Sequence, residues 1–217
     1  MDTPISLQRC YNDEEMTKKI RVYYFSIDEA KKYQKEIVSC LNDLHRVDKA
    51  NRYYFEKDRL LSLAGSYLIQ KHTTPSSLFY TREGKPYKKG EFFSISHSGF
   101  LAIFAQDEAS IGVDIEQIRS FPPSLVNAVL NDEEKRKWQT KDDFFKAWCL
   151  KESLSKAIGT GLKGDFKSIP AKEGEYFFKG NPYYSCIENR LKGYTIAVTS
   201  SLSMPFTIEL IPDSFSE

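Results

Sequence analysis

The chain has 217 residues, of which 41% are hydrophobic and 28% charged, and its net charge is +1. That length suits one large domain or two small ones, and the near-neutral balance argues against a nucleic-acid coat or a membrane-surface protein. The first residues, MDTPISLQRC, lack the apolar core of a secretory signal. No apolar run approaches the roughly 18 residues that span a bilayer. A cytoplasmic chain is therefore expected, with Cys10, Cys40, Cys149 and Cys186 as reduced, mostly buried thiols, because none forms a CxxC pair.

In chain order, IRVYYFSI (20–27) is rich in β-branched and aromatic residues and predicts a strand. Ser26 and Glu29 form a capping box that starts a helix running to about Leu44. A short basic helix, RVDKANRYYF, follows. KDRLLSLAGSYLIQKH is an amphipathic helix with Leu60, Leu63, Ala64, Tyr67 and Leu68 on one side. REGKPYKKG is a turn-rich loop, and EFFSISHSGFLAIFAQ predicts a hairpin turning at Ser98-Gly99. A strand over 110–116 comes next, and FPPSL breaks the chain. Asn131 and Glu134 cap a short helix. DDFFKAWCLKESLSKAIG is a long helix stopped by Gly159 and Gly161. Short β-rich runs complete the chain. The order strand, helices, strands occurs twice, with a seam near 107–110. An α+β fold of mostly antiparallel strands is expected, built as an N-terminal half, 1–108, and a C-terminal half, 109–217.

The candidate chemistry begins with two acids in an apolar strand. In IGVDIE, side chains alternate between faces. Ile111, Val113 and Ile115 share one face, and Gly112, Asp114 and Glu116 share the other. Adjacent carboxylates on one pleat repel unless something cationic sits between them. The long helix supplies a third acid. Its core stripe is Ala147, Leu150, Leu154 and Ile158, while Phe145, Trp148 and Cys149 make a second side apolar as well. Glu152 and Lys156 therefore fall at the edge of a buried surface. Three carboxylates and a lysine suggest Mg²⁺ facing phosphates. Against this, Glu152 and Lys156 are also spaced for an ordinary helix salt bridge. His97 lies on the face of Phe93 and Ile95, Lys85 lies in the turn GKPY, and Arg46, Lys49 and Arg52 share one helical side.

The motifs GKPY, FSISHSG, IGVDIE and FFKAWCLKESLSKAIGTGL, in this order, resemble the Sfp-type 4′-phosphopantetheinyl transferases. The resemblance spans roughly residues 46 to 162. It implies two similar α+β halves joined as a pseudo-dimer with the active site in the cleft between them. It implies transfer of the phosphopantetheine arm of coenzyme A to a serine of an apo acyl or peptidyl carrier protein, with release of 3′,5′-ADP. By the same resemblance Asp114, Glu116 and Glu152 bind Mg²⁺ (or Mn²⁺). Lys156 and Lys151 face the diphosphate, and Lys85, Ser96 and His97 touch coenzyme A. Arg46, Lys49 and Ser62 stand where the family places contacts around the 3′-phosphate and adenine. Glu152, directly or through a metal-bound water, is the candidate general base, with Lys156 beside it. The carrier is expected near 121–138, where Leu125, Val126 and Val129 precede the basic run Lys135, Arg136 and Lys137. A monomer with no nucleic-acid or membrane partner is implied. The alternatives are a Mg²⁺-dependent enzyme that hydrolyses a diphosphate without any acceptor, and a silent module that binds carrier or coenzyme.

Overall fold

The computed structural model describes residues 17–82, 84–137, 139–159 and 166–216. Cys10, Gly161 and the end of the GTGL motif lie outside them. The elements are β1 (Lys18–Ser26), α1 (Ile27–Lys32), α2 (Gln34–Cys40), α3 (Leu44–Asn51), α4 (Glu56–His72), β2 (Phe79–Tyr80) and β3 (Pro86–Tyr87). Then come β4 (Phe92–Ser98), β5 (Leu101–Asp107), β6 (Ile111–Gln117), α5 (Pro123–Val129), α6 (Asp132–Lys137) and α7 (Lys141–Ile158). The last four are β7 (Gly174–Phe178), β8 (Asn181–Glu188), β9 (Tyr194–Ser200) and β10 (Phe206–Pro212).

The fold is mixed α/β. One four-stranded sheet has the order β10-β1-β5-β4 and a second has the order β6-β9-β8-β7. In each, the strand that precedes the helices pairs antiparallel with a later strand, which in turn pairs with the strand just before it: β1-β5-β4 and β6-β9-β8, with β7 added at the edge of the second sheet. The doubled element order is thus also a shared connection pattern. β10 departs from it. It leaves the second half of the chain and pairs in parallel with β1, so a cut at 108/109 does not separate the two sheets.

Strand alternation gives each sheet an apolar inner face, and these inner faces meet. Ile20, Val22, Ile103 and Ala105 of the first sheet pack with Ile111, Val113, Ile115, Ile196 and Val198 of the second. The outer face of the first sheet carries α4, with Leu63, Ala64, Tyr67 and Leu68 against Phe25, Phe93 and Phe104. The outer face of the second carries α7, with Ala147, Cys149 and Leu150 clustered with Ala197.

Several local expectations are corrected. The single helix after Ser26 is two, α1 and α2, divided at Tyr33, which caps one and opens the other with a non-helical backbone (φ −112°, ψ 30°). α4 is buried continuously from Leu60 to Ile69 and not along one stripe, because α1, α2 and α3 cover what the sheet does not. Ser98 belongs to β4, so the hairpin turns at Gly99 and Phe100, where Gly99 has φ +60°. The loop 82–90 includes β3, which pairs with β2 as a small hairpin. The Asn131–Glu134 capping box forms in full, each residue's side chain accepting from the other's backbone N–H at 2.9 and 3.0 Å.

Candidate active site

β6 lies against α7 closely enough to explain Gly112. A Cβ there would sit 1.8 Å from the Ser153 carbonyl oxygen and 2.6 Å from the Ala157 nitrogen. The approach brings the outer face of β6, with Asp114 and Glu116, alongside Glu152 and Lys156 of the helix. Lys156 does not form the helix bridge to Glu152. Its Nζ donates to Asp114 Oδ1 at 2.7 Å, to Ser96 Oγ at 2.8 Å and to the Val113 carbonyl at 3.1 Å. Ser96 Oγ in turn donates to Asp114 Oδ1 at 2.7 Å. One ammonium therefore ties β4, β6 and α7 together.

The acids around this node are short of positive charge. Burial, the Asp114 carboxylate and then Glu116 push the Glu152 carboxyl up to about 7, with Lys156 opposing them. Burial and Asp114 also raise Glu116, against a hydrogen bond from Ser98 and the nearby charges of Arg119 and Lys156. The second oxygen of Asp114, Oδ2, is buried and has no hydrogen-bond partner. A buried acceptor left unpaired costs stability unless a ligand meets it. Three carboxylates with one orphaned oxygen have the donor chemistry of a hard divalent cation. Among the described residues, however, no three His, Cys, Asp or Glu side chains are grouped tightly enough to close on an ion. Phosphate oxygens and water would have to complete the shell, as is usual for Mg²⁺.

Beside the acids is a concentration of lysines. A cavity of about 260 Å³ is lined by Lys49, Lys85, Lys156, Gly84, Pro86 and Ile95, among others. Lys85 donates to the Lys156 carbonyl near the end of α7. Burial and the charge of Lys156 push Lys85 down to about 8. Lys49 is lowered by burial and by Arg46. His97 keeps an exposed ring, yet crowding and then the charges of Lys156 and Lys49 lower its pKa. Cations that depress one another in a half-open hollow form a ready anion site.

Three expected site residues stand elsewhere. Lys151 is fully buried on the other side of α7, with Nζ 2.7 Å from Glu134 Oε2 and 3.2 Å from the Phe166 carbonyl. It cannot face a phosphate in the cavity because a helix places residues 151 and 156 about 140° apart. Arg46 is only 5% exposed. Its Nε donates to Ser66 Oγ at 2.7 Å, and it lines a separate hollow of about 470 Å³ with Gln70 and Lys88. Ser62 is buried in α4, where its carbonyl accepts from Ser66 Oγ. The apolar residues expected to greet a carrier are also turned inward: Val129 is buried, and Leu125 and Val126 pack on the cluster around Phe144 and Phe145.

The sequence reading missed Ser94 and Ser98 and treated Ser96 only as a coenzyme contact. The signal was present as the SxSxS alternation on the face of β4 opposite His97. It also missed Arg119, which lines a 170 Å³ hollow with Glu116, Phe121, Leu125, Phe145 and Trp148.

Residues 110–199, which contain both the Asp114–Glu116 pair and α7, match the 4′-phosphopantetheinyl transferase superfamily. The resemblance to these transferases stands. The chain is 32% identical over 126 residues to the 4′-phosphopantetheinyl transferase gsp of Aneurinibacillus migulanus, covering 51% of this chain and 53% of that protein. It is 32% identical over 132 residues to the 4′-phosphopantetheinyl transferase Sfp of Bacillus subtilis, covering 53% and 59%. It is 29% identical over 147 residues to the mouse L-aminoadipate-semialdehyde dehydrogenase-phosphopantetheinyl transferase, covering 53% and 47%. The alignments thus span about half the length of these curated relatives. Among the described residues, no helix is long and apolar enough to cross a membrane.

Proposed function

We propose that the protein transfers the 4′-phosphopantetheine arm of coenzyme A to a serine hydroxyl of an apo carrier protein, in a Mg²⁺-dependent reaction that releases 3′,5′-ADP. The observation that carries this reading is the juxtaposition of a lysine-lined cavity with the acids Asp114, Glu116 and Glu152. A polyanion and its metal need both signs of charge side by side. The family match over 110–199 supports the same assignment. The two halves are read as a pseudo-dimer, with the site in the cleft between them, on the strength of their shared strand connections.

In this reading Lys49, Lys85 and Lys156 hold the phosphates of coenzyme A, with His97 and Ser96 as further contacts from β4. Asp114, Glu116 and Glu152, with water and phosphate oxygens, would hold a divalent cation, which would supply Lewis-acid charge to the diphosphate. Phosphoryl transfer asks for little covalent work from the protein, so position and charge dominate. Glu152 is read as the acceptor of the carrier serine's proton, directly or through a water. The serine oxygen bonds to the phosphorus that bears the pantetheine arm, and the bond from that phosphorus to the ADP oxygen breaks. Lys156 offsets charge that develops on the leaving group. The carrier approaches over the hollow at Arg119, Phe121 and Trp148, which opens beside Glu116.

The test is mass spectrometry of several apo carriers incubated with the protein, coenzyme A and Mg²⁺, with and without chelator. Metal-dependent addition of a phosphopantetheine group to a carrier serine is expected. Release of 3′,5′-ADP from coenzyme A in the absence of any carrier would favour a hydrolase instead, and no modification of any carrier would favour a binding module.

A further inference from the structure

Between the two sheets, β4 and β6 run side by side in the same direction without a backbone ladder. Their connection is made by hydroxyls. Ser94 Oγ accepts from the Val113 N–H at 3.1 Å, Ser96 Oγ donates to Asp114 at 2.7 Å, and Ser98 Oγ both accepts from the Gln117 N–H at 3.1 Å and donates to Glu116 Oε2 at 2.7 Å. The period of two on β4 matches the period of two on β6, so each acid of the pair has its own serine. The two serines differ in one respect. Ser96 shares its hydroxyl with the Lys156 ammonium, whereas Ser98 is 7% exposed and bonded to β6 alone.

We infer that Ser98 is a positioning residue that fixes the direction of the Glu116 carboxylate. The Gln117 amide occupies a lone pair of Ser98 Oγ, and that sets where the hydroxyl hydrogen must point. With Oε2 held by this hydrogen, Glu116 is prevented from turning away. The hydroxyl acts through Glu116 and touches no reacting atom. Its consequence for metal uptake rests on the transferase reading above. Hydrogen bonds behind a ligating carboxylate typically change metal affinity about 10- to 100-fold when removed.

Two measurements test this. Crystal structures of the metal-free protein, wild type and Ser98→Ala, read the Glu116 orientation directly. Electron paramagnetic resonance of added Mn²⁺, together with the Mg²⁺ dependence of carrier modification, reads affinity. Expected are a rotated Glu116 in Ser98→Ala, a Mn²⁺ dissociation constant raised about tenfold, and a rate that recovers at high Mg²⁺. Ser98→Thr should restore both readouts because it keeps the hydroxyl. Ser98→Cys, which keeps the size and weakens the donor, replaces the alanine variant if that does not fold. Glu116 unmoved in the variant, or an affinity within twofold of wild type, overturns the inference. A wild-type protein that takes up no Mn²⁺ sinks the metal reading alone, and the orientation of Glu116 in the variant crystals then decides the role of Ser98.

Discussion

Lys156 on α7 and Asp114 on β6 form a 2.7 Å ion pair across the join between helix and strand. The Lys156 side chain is 25% exposed and that of Asp114 5%, so the pair is partly shielded from water and only the lysine reaches the cavity. Lys156→Ala should lower carrier modification by roughly a hundredfold or more, the scale of losing one well-placed electrostatic group. It should also destabilise the fold, because Asp114 is left buried and unpaired. Steady-state kinetics and denaturant unfolding of one purified variant check both. A loss of less than about threefold in rate, beside a clear loss of stability, would make the pair structural only.

Glu152 predicts an unusual pH dependence. Its carboxyl stands at about 7 in the folded protein, against 4.5 for the free group. A carboxyl raised on folding holds its proton more tightly in the folded state, so stability falls as pH rises through this window. The cost is absent below about 4.5, grows toward 7 and is complete above it. At full size such a shift is worth at most ~3 kcal/mol. Glu152→Gln should therefore match wild type at pH 4.5 and exceed it by about 1–3 kcal/mol at pH 8.5, while losing transfer activity. Urea titrations at the two pH values decide. Equal stability at both would remove the buried-acid argument.

A divalent cation should relieve the same charge. Millimolar Mg²⁺ at pH 7.5 should raise the melting temperature of wild type, through preferential binding to the folded state. Asp114→Asn should abolish that rise, since it neutralises the acid whose Oδ2 lacks a partner. Differential scanning calorimetry with and without Mg²⁺ gives the answer apart from any catalytic assay. An equal rise in wild type and variant would place the cation elsewhere.

Lys151 separates structure from chemistry. It forms a buried pair with Glu134, whose other oxygen accepts from the Ala171 N–H at 3.1 Å. Glu134→Ala should cost about 3–5 kcal/mol, because it removes the carboxylate paired with a buried ammonium. Lys151→Met, which removes the charge and keeps the length, should be milder and leave the KM for coenzyme A within about twofold. A tenfold rise in that KM would return Lys151 to the phosphate site.

Gly112→Ala should be among the most damaging single-methyl additions. The new carbon meets helix backbone at 1.8 Å, so β6 and α7 must separate. A loss upward of ~3 kcal/mol is expected, seen as poor soluble yield or a large drop in unfolding midpoint. An alanine variant of near-normal stability would show that the strand and helix are not in this contact.

The sequence by itself determined the local elements and the chemical types at the site. Alternation placed Ile111, Val113 and Ile115 on one face of β6 and Gly112, Asp114 and Glu116 on the other, and the structure keeps that division. The helix from Lys141 to Ile158 and its glycine stop at Gly159 were legible from period and capping, since both depend on neighbours a few residues away. Only the tertiary structure decided which charges meet. Lys156 could have bridged to Glu152 one turn away, and helical spacing alone favours that pairing. The close approach that Gly112 permits puts Asp114 in reach instead, together with the Ser96 hydroxyl and the Val113 carbonyl that bind the same ammonium. The burial of Arg46 and Ser62, the removal of Lys151 to Glu134 and the return of β10 to the first sheet likewise depend on partners distant in the chain. Period and propensity carry no information about such partners, because long-range packing chooses them.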